Sequence, residues 1–244
     1  MSRLGVAALA GLAVMLGACG NSAEVRYKVT VEVDDQGTPR SGSSVMSFKL
    51  LKPQVALVSP YNAEFHGEAV AVELGGGQIL FALLKDEKGD LGTVQMWPEK
   101  VFEDLGSGTE RIRNIRRIAS NEGMTRELPR FFPAISDSRE PFVNYPLLVQ
   151  FRDLNQPESI EAVQPDALNK AFGAGVKLNR ISVQITDEPV TEGIRTRLPW
   201  LEDVGRSRST FIPNPPRYLR DATPVQLVSP SDFSTELYKD ARGR

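Results

Sequence analysis

The chain has 244 residues, one cysteine, one histidine and a formal net charge of −2. A lone cysteine excludes an internal disulfide, one cysteine and one histidine are too few for a zinc site of the usual kind, and the slightly acidic balance argues against nucleic acid as a partner. The fold must rest on its hydrophobic core, for which this length is ample.

The first eighteen residues carry a single charge, Arg3, followed by the apolar run LGVAALAGLAVMLGA. A short basic start, an apolar run too short to span a bilayer comfortably and small residues at its end describe a secretory signal over residues 1–18. The segment Leu16-Gly17-Ala18-Cys19 resembles, residue by residue, the lipobox of bacterial lipoproteins. The resemblance implies that small Gly17 and Ala18 admit the backbone to a signal peptidase. It also implies that Cys19 becomes the new N-terminus, carrying a diacylglyceryl thioether and an amide-linked third chain. One acyl chain binds a membrane marginally and two bind it stably, so the expected partner of Cys19 is the lipid bilayer. Gly20 stands where an aspartate tends to retain lipoproteins of Gram-negative bacteria in the inner membrane, which points to the periplasmic leaflet of the outer membrane. Residues 19–24 form a short tether; the five after Cys19 reach about 18 Å at most. A single periplasmic domain is expected over residues 25–244.

In VRYKVTVEV, Val25, Tyr27, Val29, Val31 and Val33 alternate with polar residues, which is the period of a half-buried strand. The polar DDQGTPRSGS predicts a long loop, and VMSFKLL returns as the second strand of a hairpin. GEAVAVEL and QILFALL predict a second hairpin around Gly75-Gly76-Gly77, a permissive turn with no phosphate-binding pattern after it. DEKGD is another turn, and GTVQMW a fifth strand before Pro98. PEKVFEDL reads as a short helix starting at Pro98. TERIRNIRRIAS reads as another, with Ile112, Ile115, Ile118 and Ala119 on one side and Arg113, Arg116 and Arg117 on the other. NEGMTRELPRFFPAISDSREPFVNYP, with four prolines, predicts an extended surface connection. Strands follow at PLLVQFRDL and VKLNRISVQIT, separated by a short helix in PDALNKAF that begins near Pro165 and Asp166 and ends at Gly173. From about Thr191 the chain is rich in proline, arginine and serine and is expected to wrap the surface in extended form. LVSP occurs at residues 57–60 and 227–230, without similar flanks and so without a repeat. The fold class expected is α+β, predominantly β, with antiparallel hairpins, a small helical insert and an extended C-terminal tail.

Residues 151–194 carry FRD at the end of a strand, a Pro-Glu-Ser turn, a Pro-Asp helix and ITDEPVT. This stretch, with RSGSSVMSF at residues 40–48, resembles a group of uncharacterised Gram-negative envelope proteins of unknown function. No activity follows from the resemblance.

Catalytic equipment is sparse. His66, in EFHGEAV, is the sole histidine. Ser43, Ser44 or Asp137 could lie near it after folding, but neither a GxSxG elbow nor an SxxK motif is present. Asp86-Glu87-Lys88-Gly89-Asp90 has carboxylates but lacks the rest of a calcium loop, and reads as a solvated hairpin tip. Trp97 and Trp200, each beside a proline, could stack on a sugar or peptide or simply fill the core. Paired carboxylates could support glycoside hydrolysis, but 31 acidic residues single out no pair. The expectation is a non-catalytic envelope lipoprotein, a binding or assembly component with no cofactor or metal, meeting the bilayer through Cys19 and other envelope proteins through its sheet or tail. The alternative is an envelope hydrolase acting on cell-wall glycan or peptide. Arg113, Arg116 and Arg117 are candidate membrane contacts.

Overall fold

The computed structural model describes residues 21–53, 60–132, 142–207, 210–216 and 218–237. Cys19, the signal, Asp137 and most of the first LVSP lie outside the described residues. In chain order, β1 (Ser22–Asp35), β2 (Thr38–Leu51) and β3 (Asn62–His66) precede β4 (Val70–Glu73) and β5 (Ile79–Asp86). Three short helices follow: α1 (Gly92–Gln95), α2 (Trp97–Val101) and α3 (Arg111–Ala119). The small strands β6 (Thr125–Glu127), β7 (Phe131–Phe132) and β8 (Phe142–Val143) lead to β9 (Pro146–Phe151) and β10 (Ile160–Val163). Then come α4 (Leu168–Phe172), the long β11 (Val176–Ile185), α5 (Ile194–Arg197), α6 (Leu201–Ser207) and three 3-10 turns. The fold is α+β and predominantly β.

One antiparallel sheet has the order β3-β2-β1-β11-β6, and a second has β10-β9-β5-β4. The alternation in β1 does what its period dictates. Val25, Tyr27, Val29, Val31 and Val33 point inward with Met46, Phe48 and Leu50 of β2 and Ile181, Val183 and Ile185 of β11. They meet Val70, Val72, Leu80, Ala82, Leu84 and Leu148 from the second sheet, and α1 to α3 close the same core with Val94, Trp97, Ile112, Ile115 and Ile118. Buried Tyr27 donates its hydroxyl to the Val94 carbonyl at 2.9 Å, tying β1 to α1. The sheets come close at Gly42, where a Cβ would meet the Ala71 carbonyl oxygen at 2.0 Å. Only glycine fits there.

Several local expectations are corrected. The first hairpin closes by a tight two-residue turn, since Asp35 pairs with Thr38 and Gln36 and Gly37 both take positive φ (55° and 87°). Positive φ at both positions matches the right-handed strand twist. The polar DDQGTPRSGS misled because much of it is exposed strand. GTVQMW is helical, with the Asp90 carboxylate accepting from the Gly92 amide at 2.7 Å at the start of α1. Asp86 is buried, accepting from the amides of Lys88 and Asp90 and from the Thr93 hydroxyl, so DEKGD is an ordered turn into α1 in which Lys88 and Asp90 are exposed and Asp86 is not. The connection after α3 is not wholly at the surface, because β6 pairs with β11 and Leu128 is buried.

The C-terminal tail wraps the molecule, but in short helices and 3-10 turns. Ile194, Leu198, Leu201, Phe211, Val228 and Phe233 cover the outer face of the second sheet and form a second core with Phe81, Leu83, Val149 and Phe151. Phe233 packs edge-on against Phe81, ring centroids 5.5 Å apart. Among the described residues, both cores are built from side chains between Ala23 and Leu237. No helix among the described residues is long and apolar enough to cross a membrane.

One buried ion pair fastens this third layer. Lys85 of β5 donates to the Asp232 carboxylate at 2.9 Å and to the Leu227 carbonyl at 3.1 Å, while Asp232 also accepts from the Ser229 amide at 2.8 Å. Both side chains are about 95% buried or more. Removing one partner of such a pair leaves an uncompensated buried charge. Lys85→Met should therefore cost about 3–5 kcal/mol in urea denaturation. A loss under about 1 kcal/mol, the range of an exposed pair, would show that this contact does not hold the tail.

Candidate functional site

A polar groove opens where the first sheet, the segment after β11 and the C-terminal segment meet. Its first part, about 270 Å³, is lined by Glu24, Ser47, His66, Glu68, Thr191, Glu192, Ser234, Thr235 and Glu236 among others. An adjoining part, about 520 Å³, shares Glu68, Thr191 and Glu192 and adds Ser43, Ala71, Ile194 and Arg197.

Backbone pairing builds the walls. Thr191 bonds to Val45 of β2 twice, through its amide to the Val45 carbonyl at 3.0 Å and by accepting the Val45 amide on its hydroxyl at 2.8 Å. On the other side the Ala69 amide donates to the Phe233 carbonyl and the Thr235 amide to the Gly67 carbonyl, so the tail adds to Gly67–Ala69 like one more strand. Arg197 forms an ion pair with Glu73 beside the second part, which lowers the Glu73 carboxyl from its ordinary range.

His66 ends β3 directly across from Ser47 of β2. Cross-strand partners share a face. The His66 Nδ1 lies 3.5 Å from the Glu236 carboxylate. Carboxylate and imidazole thus lie together, with the Ser47 side chain on the neighbouring strand, the residue types a nucleophilic site uses. Ser47, however, is itself buried. Glu68, the buried carboxylate of the groove, accepts from the amides of Gly193 and Ile194 at 2.7 and 2.8 Å. These are orphan donors at the start of α5, so its role is structural. Burial pushes the Glu68 carboxyl above its ordinary range, and the two amides only partly offset this.

The sequence-derived candidates fall apart spatially. Ser43 lines the second part of the groove, Ser44 faces inward with a buried hydroxyl that lacks a hydrogen-bond partner, and Asp137 and Cys19 lie outside the described residues. Ser47 was missed, because pairing register across separate strands leaves no mark in the sequence. Trp97 is fully buried, donating to the Asn144 carbonyl at 3.1 Å. Trp200 donates to the Leu154 carbonyl and packs edge-on against Phe151 and Phe211. Both tryptophans serve packing. Arg113, Arg116 and Arg117 are exposed on α3, where Arg116 reaches the Ser22 carbonyl, and none of the three lines the groove. Among the described residues no cluster of His, Cys, Asp or Glu is arranged to hold a metal ion. No protein-family model, curated protein or solved structure matches the chain.

Glu68 gives the groove a pH signature. A carboxyl raised in the folded state binds more protons folded than unfolded, so its contribution to stability is complete below the ordinary glutamate value. It is then lost as pH rises through the folded value. Relative to Glu68→Gln, the unsubstituted protein should lose stability as pH rises from about 4 toward neutrality, the window opened by the ordinary glutamate value. Parallel stability curves for the two proteins would contradict this.

Proposed function

We propose that the protein is a lipid-anchored, non-catalytic component of the bacterial envelope that uses its open groove for binding or assembly on the periplasmic side of the membrane. The observation that carries this reading is the LGAC segment at residues 16–19, ending two residues before the first residue of the described fold. Glycine and asparagine at 20 and 21 reach about 7 Å when extended, shorter than the five-residue tether expected from the sequence, because β1 begins at Ser22. Glu68 being committed to a helix start, and Ser47 being buried, favour binding over chemistry in the groove.

Fatty-acid labelling in a Gram-negative host tests the anchor. The unsubstituted protein should take up label and partition with membranes, and Cys19→Ala should take up none and accumulate as an unprocessed precursor. Equal label in both proteins would refute the reading.

The alternation of Glu236, His66 and Ser47 favours one second reading, an envelope hydrolase. It requires that the purified protein release soluble fragments from cell-wall material and that Ser47→Ala and His66→Ala each abolish release. The binding reading expects no release from any of the three proteins.

A further inference from the structure

We propose that the end of the domain where β1 begins is a contact surface for an anionic lipid bilayer, formed by Lys52, Arg113, Arg116 and Arg117. The structure brings Lys52 and the start of β1 to the end of the sheet where the three arginines of α3 lie. Arg116 donates to the Ser22 carbonyl at 2.8 Å, at the first residue of β1. The Lys52 amide donates to the Asn21 carbonyl at 2.7 Å, which sets that lysine beside the incoming chain. Arg113 and Arg117 lie three residues before and one after Arg116 on α3, on its exposed side, while Ile112, Ile115 and Ile118 bury the opposite side in the first core. Arg117 reaches the Leu105 carbonyl at 3.2 Å. The helix start sits by Tyr61, whose hydroxyl donates to the Thr109 carbonyl at 3.2 Å, and Asn62 pairs with Leu51 next to Ser22. The whole helix therefore lies along this end of the sheet.

All four side chains are exposed. Of the carboxylates on this side, Glu110 meets Arg113 at 3.5 Å with both about two-thirds exposed, an arrangement that solvent screens heavily. Glu103 and Asp104 are exposed just before the Leu105 that Arg117 reaches, and Asp104 is engaged by Arg126. Glu24 and Glu64 belong to the other face of the sheet, where Lys49 pairs with Glu64 at 2.9 Å. Charge complementarity and the point of chain entry select the occupant. Cys19 is three residues from the Ser22 carbonyl that Arg116 holds, so an acyl group there would bring headgroups to these cations. The direction in which the surface is presented rests on the anchor reading; the surface itself does not.

The test uses the unlipidated chain from Gly20, which contains both cores. Cosedimentation with vesicles of phosphatidylglycerol and phosphatidylcholine should show binding that fades as salt rises, and pure phosphatidylcholine should bind far less. Arg113→Gln/Arg116→Gln/Arg117→Gln should weaken partitioning on the order of five-fold per cation, whereas replacing all three with lysine should largely preserve it. Matching circular dichroism and thermal melts would show that each variant is folded. Salt-insensitive binding, equal binding to both vesicle types, or partitioning unchanged in the glutamine variant would overturn the proposal. None of these outcomes depends on Cys19, so failure here and failure of lipidation are separable.

Discussion

The second sheet is buried on both faces, and the architecture depends on that. β5 turns Leu80, Ala82 and Leu84 toward the first sheet and Phe81 and Leu83 toward the tail. Exposed, the outer face would present Phe81, Leu83, Val149 and Phe151 together as an apolar patch, of a kind that folded proteins ordinarily cover. The tail covers it with Phe211, Val228 and Phe233, and Lys85 with Asp232 sets the register of that cover. An apolar layer slides at little cost. A buried lysine with one well-placed carboxylate and one carbonyl does not, which is how the pair converts general burial into a defined arrangement.

The same dependence shapes the groove. Its walls are the segment after β11 and the returning tail, and each is held to the sheets by backbone hydrogen bonds at Val45, Gly67 and Ala69. Glu68 joins the two walls, bridging to Ser234 on one side and binding the amides of Gly193 and Ile194 on the other. The groove is thus a product of the third layer. Glu24, which lines it, lies two residues beyond Ser22, so groove and basic end are set close together by one strand. A lipid-anchored domain of this shape would present the groove near the membrane surface.

Legibility followed periodicity. β1 and β11 keep one face wet, so their valines and isoleucines alternate with polar residues and both strands could be read directly. α3 was legible for the same reason at helical spacing, with three isoleucines inside and three arginines outside. The tail was harder. Its apolar residues are separated by prolines and polar turns, and they become a core only because a sheet face already waits for them. In GTVQMW so short an apolar pattern does not distinguish helix from strand, and carboxylate contacts at Asp86 and Asp90 favour the helix.

What the sequence by itself determined is local: the predominantly β class, the alternating strands and the amphipathic α3; the lipid anchor proposed at LGAC is read from neighbours in the same way. Each is written in neighbours or in a short period. What the tertiary structure decided is every relation between distant residues. Lys85 and Asp232 are 147 positions apart, and Arg116 and Ser22 are 94 apart. Ser47 and His66 meet through the pairing of β2 with β3. No local period encodes such pairs. They follow from strand register and from which face each layer must bury, and those are properties of the folded chain as a whole.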